Sequence, residues 1–135
     1  MSISNEIDII KDELSLFDDV MDKYEYIIEL GHSLASLSDN YKNDSYLLQG
    51  CQSQVWLHLY LKDALVHIEA DGDALIVRGL LQVLIRIYSK HTPDEILQTE
   101  LGELEKLGFS EIISSGRQNG IASMLKKIYS FAKSV

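Results

Sequence analysis

From Ala74 to Tyr88 the chain reads ALIVRGLLQVLIRIY, apolar on almost every side of a helix apart from a stripe of Arg78, Gln82 and Arg86 at spacing four. A helix of that kind has no face it can leave in water. It must be wrapped by several other elements, supplied by the rest of the chain or by a second copy. The run is shorter than a membrane span and carries two arginines, so what it requires is burial in protein.

Candidates for the wrapping elements lie on both sides. Ile3, Ile7, Ile10 and Leu14 recur at three- and four-residue intervals and predict a short amphipathic helix. The stretch DVMDKYEYIIELGHSLASL predicts a second, with Met21, Tyr24, Ile27, Ile28, Leu30 and Leu34 on a broad apolar face and Gly31 weakening its last turns. SLSDNYKNDSY, from Ser36, is rich in residues that bond to their own backbone and reads as a loop.

From Gln54 the period changes to two. Val55, Leu57, Leu59 and Leu61 face one way, then Ala64, Val66, Ile68 and Ala70 do the same. A tight turn at Lys62-Asp63 would set Leu59 against Val66, Leu57 against Ile68 and Val55 against Ala70, both apolar sets on one face of a hairpin. YLLQ, before Gly50, is a candidate third strand. Downstream, Asp73 is placed to cap the central helix, and TPDE reads as a capping box with Thr92 as cap and Glu95 reaching back. A short helix through DEILQ, another from Glu100 to Leu107 stopped by Gly108, and a last one from about Gln118 complete the pattern. The expected fold is α+β, a small antiparallel sheet of about three strands packed on one face by several helices. With 135 residues, one proline, no linker and no repeat, residues 1–135 read as a single domain.

A net charge of −9 and a pI near 4.7 argue against nucleic acid as a partner, since phosphate binding needs clustered Lys and Arg. The acidic start MSISNEIDIIKDELSLFDD has neither the basic opening nor the apolar core of a secretory signal, so a cytoplasmic protein with no membrane association is expected.

One cysteine is present, Cys51 in QGCQSQVW. No intrachain disulfide and no multi-thiolate metal site can be built from it. A lone cysteine is commonly a small buried hydrophobe. This one follows Gly50, sits at the edge of a polar loop, and is followed by Gln52, Ser53 and Gln54, whose donors can steady a thiolate or persulfide. Its parity matches the apolar hairpin face, which also permits a buried resting position. His58 and His67, expected opposite each other, offer a base for Cys51 or two ligands for a metal, but no third ligand is in sight and solvation explains them as well. Loop solvation and helix capping are the plain readings of Asp71 and Asp73. Arg117 opens the last helix, where the dipole disfavours a cation, so a partner contact would account for it.

The segment LLQGCQSQVWL, together with KYEYIIELG, GDALIVRGLL, TPDEIL and GRQNGIASMLKKI in the same order, resembles the SufE family of cysteine desulfuration proteins over essentially the whole chain. The resemblance implies a fold similar to that of the cluster scaffold IscU. It implies that Cys51 accepts sulfur as a persulfide from a pyridoxal-phosphate cysteine desulfurase of the SufS kind and passes it to a SufBCD-like scaffold complex in iron–sulfur cluster assembly. The pyridoxal phosphate belongs to the desulfurase, and this chain is expected to bind no cofactor or metal of its own. It would be a sulfur-transfer partner rather than a stand-alone enzyme. Asp71 and Asp73 match the family's acidic stretch beside the cysteine loop, Arg117 matches an arginine implicated in contact with the desulfurase, and Gly50, Gln52, Ser53 and Gln54 would support the loop. Tyr46 stands where many members have asparagine, and the hairpin turn looks short for the family. Rival readings are an acceptor serving a different desulfurase and pathway, or a docking module with an incidental cysteine. A thiol hydrolase would need a base aimed at Cys51, and a cluster scaffold would need more thiolates. A homodimer would offer another cover for the central helix.

Overall fold

The computed structural model describes residues 2–51 and 53–135. The run that demanded cover becomes α3 (Leu75–Tyr88), and it is wrapped within the chain. α1 (Ile3–Leu14), α2 (Val20–Leu30) and strand β2 (Leu65–Gly72) pack on it, β2 pairing with β1 (Val55–Lys62). α4 (Pro93–Gln98), a 3-10 turn (Leu101–Leu107), α5 (Phe109–Ile112) and α6 (Ser115–Ser134) close the far side, and one apolar cluster runs through all these layers.

Two glycines set the closest approach. A Cβ at Gly79 would sit 2.0 Å from the Ile27 carbonyl oxygen, and one at Gly31 would sit 2.8 Å from the Gly79 amide nitrogen. The backbones of α2 and α3 therefore touch at Ile27, Gly31 and Gly79. A helix-interior glycine costs about 1 kcal/mol relative to alanine, and here the contact it permits is the compensation. α2 stops at Leu30, and the chain tightens into a 3-10 turn over Gly31–Ser33. Contact centred on Ile27 also leaves α2 with a narrower buried face than expected. Tyr24, Ile28 and Leu30 are only partly buried, and Met21 is 61% exposed.

Arg86, from the polar stripe of α3, ties α1 to it. Its Nη1 and Nη2 donate to the two oxygens of Glu13 at 3.0 and 2.9 Å, its Nε donates to Glu6, and Tyr26 donates to Glu13 at 2.6 Å. This fork lowers the Glu13 carboxyl below its usual range, chiefly through the Arg86 hydrogen bonds, against the opposing effect of burial.

The sheet is two-stranded. The expected third strand makes a single bridge, Leu47 to Trp56, before Gly50 turns the chain away. In the hairpin, Leu57 faces Ala70, Leu59 faces Ile68 and Leu61 faces Val66, two residues off the register expected for β2. The turn is Asp63-Ala64, with φ of 55° and 65°. A two-residue hairpin turn of this hand needs positive φ at both positions, and Asp tolerates that better than Lys, so Lys62 stays in the strand. Because the shift is even, Val55, Leu57 and Leu59 and Val66, Ile68 and Ala70 keep the inner face, while Leu61 is 47% exposed and Ala64 lies in the turn. The shift also separates the histidines: His58 faces Glu69, and His67 faces Tyr60.

Three helix ends differ from expectation. α3 begins after Ala74 with no side-chain cap, because Asp73 is engaged elsewhere. Thr92 accepts from the Glu95 amide as a cap should, while the Glu95 carboxylate meets His91 Nδ1 at 2.6 Å. α6 starts at Ser115, three residues early, because Ser114 accepts from the Arg117 amide at 3.3 Å. No described helix is long and apolar enough to cross a membrane.

Two outcomes follow for stability. Gly79→Ala should lose about 3 kcal/mol or more, the upper part of the overpacking range, read from the urea midpoint, while Gly102→Ala, with nothing within 4 Å, should be near neutral. The lowered Glu13 pKa contributes stability that is present above the unfolded carboxyl value and lost as pH falls through the folded one. Arg86→Met should therefore lose less stability on acidification than the parent protein does, measured as urea midpoints from neutral pH into the carboxylate range.

Candidate functional site

Residues 49–51 and 53–54 flank Gln52 and are held at both ends. Before them, Leu48 donates its amide to Val55 and Leu57 donates to Tyr46, at 2.8 and 3.0 Å. At the other end, the Gln54 amide donates to Asp73 Oδ1 at 3.1 Å and the Asp73 amide donates to the Gln54 carbonyl at 3.2 Å. Asp73 is thus a clasp on the loop. The Asx side chain expected to start a helix bonds across to the neighbouring strand instead.

Between those ends the loop lies along one face of α6. Gly50 has φ +88°, the angle that favours glycine, and a Cβ there would come 2.7 Å from Ser123 Oγ, which would have to turn aside. Cys51 is half-buried against the core, its Sγ 3.7 Å from where a Cβ on Gly120 would stand. Arg117 Nη1 donates to Ser53 Oγ at 2.6 Å. Arg117, Gly120 and Ser123 are spaced by three and share a helix face, so the loop runs antiparallel to α6 with one loop residue over each.

Of the residues singled out from sequence, Gly50, Cys51, Ser53, Gln54, Asp73 and Arg117 come together here. Gln52 lies outside the described residues. Asp71 is not part of the seat. Its buried carboxylate meets Lys42 at 3.0 Å and Arg78 at 3.8 Å, and it accepts from the Gly72 amide at 2.8 Å, fastening the 3-10 turn at Asp39–Tyr41 to the start of α3. Gly120 and Ser123 were not anticipated, because nothing in the sequence says that the cysteine loop lies along this helix face. The signal available was a glycine inside a helical pattern.

Burial pushes the Cys51 thiol pKa up, and the Arg117 charge opposes this with the smaller effect. The histidines are committed elsewhere. His58 stacks on Tyr41 with ring centroids 3.8 Å apart and meets Glu69 at 3.0 Å, His67 stacks on Tyr60, His91 meets Glu95, and His32 meets Glu29. Tyr46 packs edge-on to Tyr41 and His58, so it belongs to this aromatic row on the outer hairpin face. Among the described residues no group of three or more His, Cys, Asp or Glu is arranged to hold a metal ion. The arrangement presents one half-buried thiol, its pKa pushed up by burial, beside the Arg117 cation.

The profile of the SufE family, described as an Fe-S metabolism associated domain, matches residues 8–132. A SufE-like protein of Rhizobium etli is 37% identical over 132 residues, covering 94% of this chain and 89% of its own. Another from Rhizobium meliloti is 36% identical over 132 residues, covering 94% of each. The solution structure of a hypothetical protein from Thermus thermophilus superposes with a TM-score of 0.78 at 12% identity, over 96% of this chain and 94% of that one, which speaks to the fold alone. The chain belongs to the SufE family, and so to the proteins of iron–sulfur metabolism that take part in sulfur transfer with a cysteine desulfurase.

Proposed function

We propose that Cys51 is the sulfur acceptor, and that the protein relays sulfur from a cysteine desulfurase to a cluster scaffold complex. The observation that carries this reading is the seat itself. In a SufE-family chain, the single cysteine rides on a segment clasped at its ends, packs half-buried against the core, and is flanked by the Arg117–Ser53 hydrogen bond to α6. In the transfer step the Cys51 thiolate attacks the outer sulfur of a persulfide on the donor. The new bond is Cys51 Sγ to that sulfur, the donor's sulfur–sulfur bond breaks, and the donor cysteine leaves as thiolate with no net oxidation.

The resting thiol is a poor nucleophile, since only a few per cent of even an unperturbed thiol is ionised at neutral pH and burial reduces the fraction further. Activation is therefore left to the docked complex. A donor surface that competes for Arg117 and Ser53 frees the loop, and its own pocket supplies the base or positive field. Arg117 and Asp73 are the partner-contact residues in this scheme. Asp71, turned into its own ion cluster, is a structural residue.

Two measurements test it. Incubation with a cysteine desulfurase and L-cysteine should add one sulfur mass, about 32 Da, to Cys51, removable by reductant. Cys51→Ser should abolish the adduct while still co-sedimenting with the desulfurase. No adduct on the parent protein would end the acceptor reading for that enzyme. Alkylation of the free folded protein by iodoacetamide should show a pH midpoint above that of free cysteine and shift down to it in denaturant. A folded midpoint at or below free cysteine would mean the thiol is activated without a partner.

A further inference from the structure

The two outer edges of the hairpin differ. On β2 the Val66 amide donates to the His91 carbonyl at 2.8 Å, the Val66 carbonyl accepts from the Lys90 amide at 2.7 Å, and the Ile68 amide donates to Ser89 Oγ at 3.0 Å. On β1 the Val55 carbonyl and the Leu57 amide bond to Leu48 and Tyr46, and there the cover ends. Asn43 turns the covering chain aside, its carbonyl accepting from the Tyr46 amide at 3.1 Å and its Oδ1 from the Ser45 amide at 2.9 Å. Outward-pointing backbone groups recur at every second residue of an antiparallel strand, so those of Leu59 and Leu61 also point away from β2. Among the described residues they meet no backbone partner, and Leu61 is 47% exposed. Such an edge is a template for another strand.

Beside this edge runs a groove of about 590 Å³, lined by the apolar Leu57, Leu59 and Phe131 and by Ser123, Lys126 and Lys127 of α6. Both lysines are exposed, and among the described residues neither makes an ion pair. No carboxylate is among the described residues that line the groove. In a chain of net charge −9, α6 carries Arg117, Lys126, Lys127 and Lys133 and no Asp or Glu. We propose that the groove takes an acidic, extended segment of a partner protein, added as a strand alongside Leu59 and Leu61. The open backbone groups select an extended main chain. Lys126 and Lys127 select carboxylates on its inward side chains, and Leu59 and Phe131 cover their methylene stems. A second copy of this chain is a poor occupant, since its own open strand, VWLHLYLK, carries a lysine and no carboxylate. The groove reaches the cysteine loop, because Gln49 lines it and Ser123 lies against Gly50. A strand seated there brings its owner beside the loop, on the far side of Gly120 from Arg117 along α6. This surface is independent of what Cys51 carries.

The test titrates isotope-labelled protein with a short capped peptide of alternating Glu and Thr, followed by amide chemical shifts and amide hydrogen exchange. Three further probes are the same peptide with Lys for Glu, the acidic peptide N-methylated on every amide, and citrate. The acidic peptide should bind saturably, more weakly as salt rises, and should slow exchange of the Leu59 and Leu61 amides severalfold. Joint substitution Lys126→Glu and Lys127→Glu should weaken binding severalfold with an unchanged urea midpoint, because both side chains are exposed, and Lys126→Arg with Lys127→Arg should restore it. Absence of binding would overturn the proposal, as would equal binding of the Lys peptide. Equal binding of citrate or of the N-methylated peptide, or unchanged exchange at Leu59 and Leu61, would reduce the site to an anion patch and overturn it too. Slowing of those two amides on raising the concentration of the protein alone would give the edge to a second copy and overturn the partner assignment.

Discussion

The contact on which the rest of the molecule depends is the meeting of two backbones, α2 against α3, at Ile27, Gly31 and Gly79. It brings the all-round apolar helix close enough to its neighbours for cover to be completed by α1 and the hairpin. Arg86 then links α1 to α3, and Arg78, with Lys42, holds Asp71 at the end of β2. With Asp71 fastened, the next bend delivers Asp73 beside Gln54, where it clasps the loop that bears the thiol. The position of Cys51 is thus inherited from a helix packing two layers away.

The loop and the core sit at opposite ends of the stability scale. The core is a continuous cluster of buried apolar side chains, while the described residues of the seat are held by hydrogen bonds from Asp73 and Arg117 around a half-buried thiol. Segments with few buried apolar contacts open locally at low free energy while the rest stays folded. That contrast suits a part that must move on docking without unsettling its support.

Much of this was legible in the sequence because periodicity records which face is buried. Ile3, Ile7, Ile10 and Leu14 are buried in α1, and the alternation from Val55 to Ala70 kept its inner face although the register moved by two. What periodicity lacks is chirality and reach. The turn settled on Asp63-Ala64 because of the sign of φ, which an alternating pattern does not encode. Asp73 looked like a helix cap because a local rule sees only local amides, and the amide it found belongs to Gln54, nineteen residues earlier. Cys51 and Arg117 were singled out one by one, but nothing in the sequence says that the cysteine loop lies along the face of α6 that joins them through Gly120.

The bridge between Leu48 and Val55 also fixes a radius of action. Cys51 is three residues beyond Leu48, and three residues of fully extended chain span about 10 Å. The thiol is therefore on a short tether rather than a long swinging arm. In the proposed relay, donor and recipient each come face to face with the same end of the hairpin, and two large bodies cannot occupy that space together. On that proposal the sulfur travels with the whole protein, which must leave one partner before it meets the next.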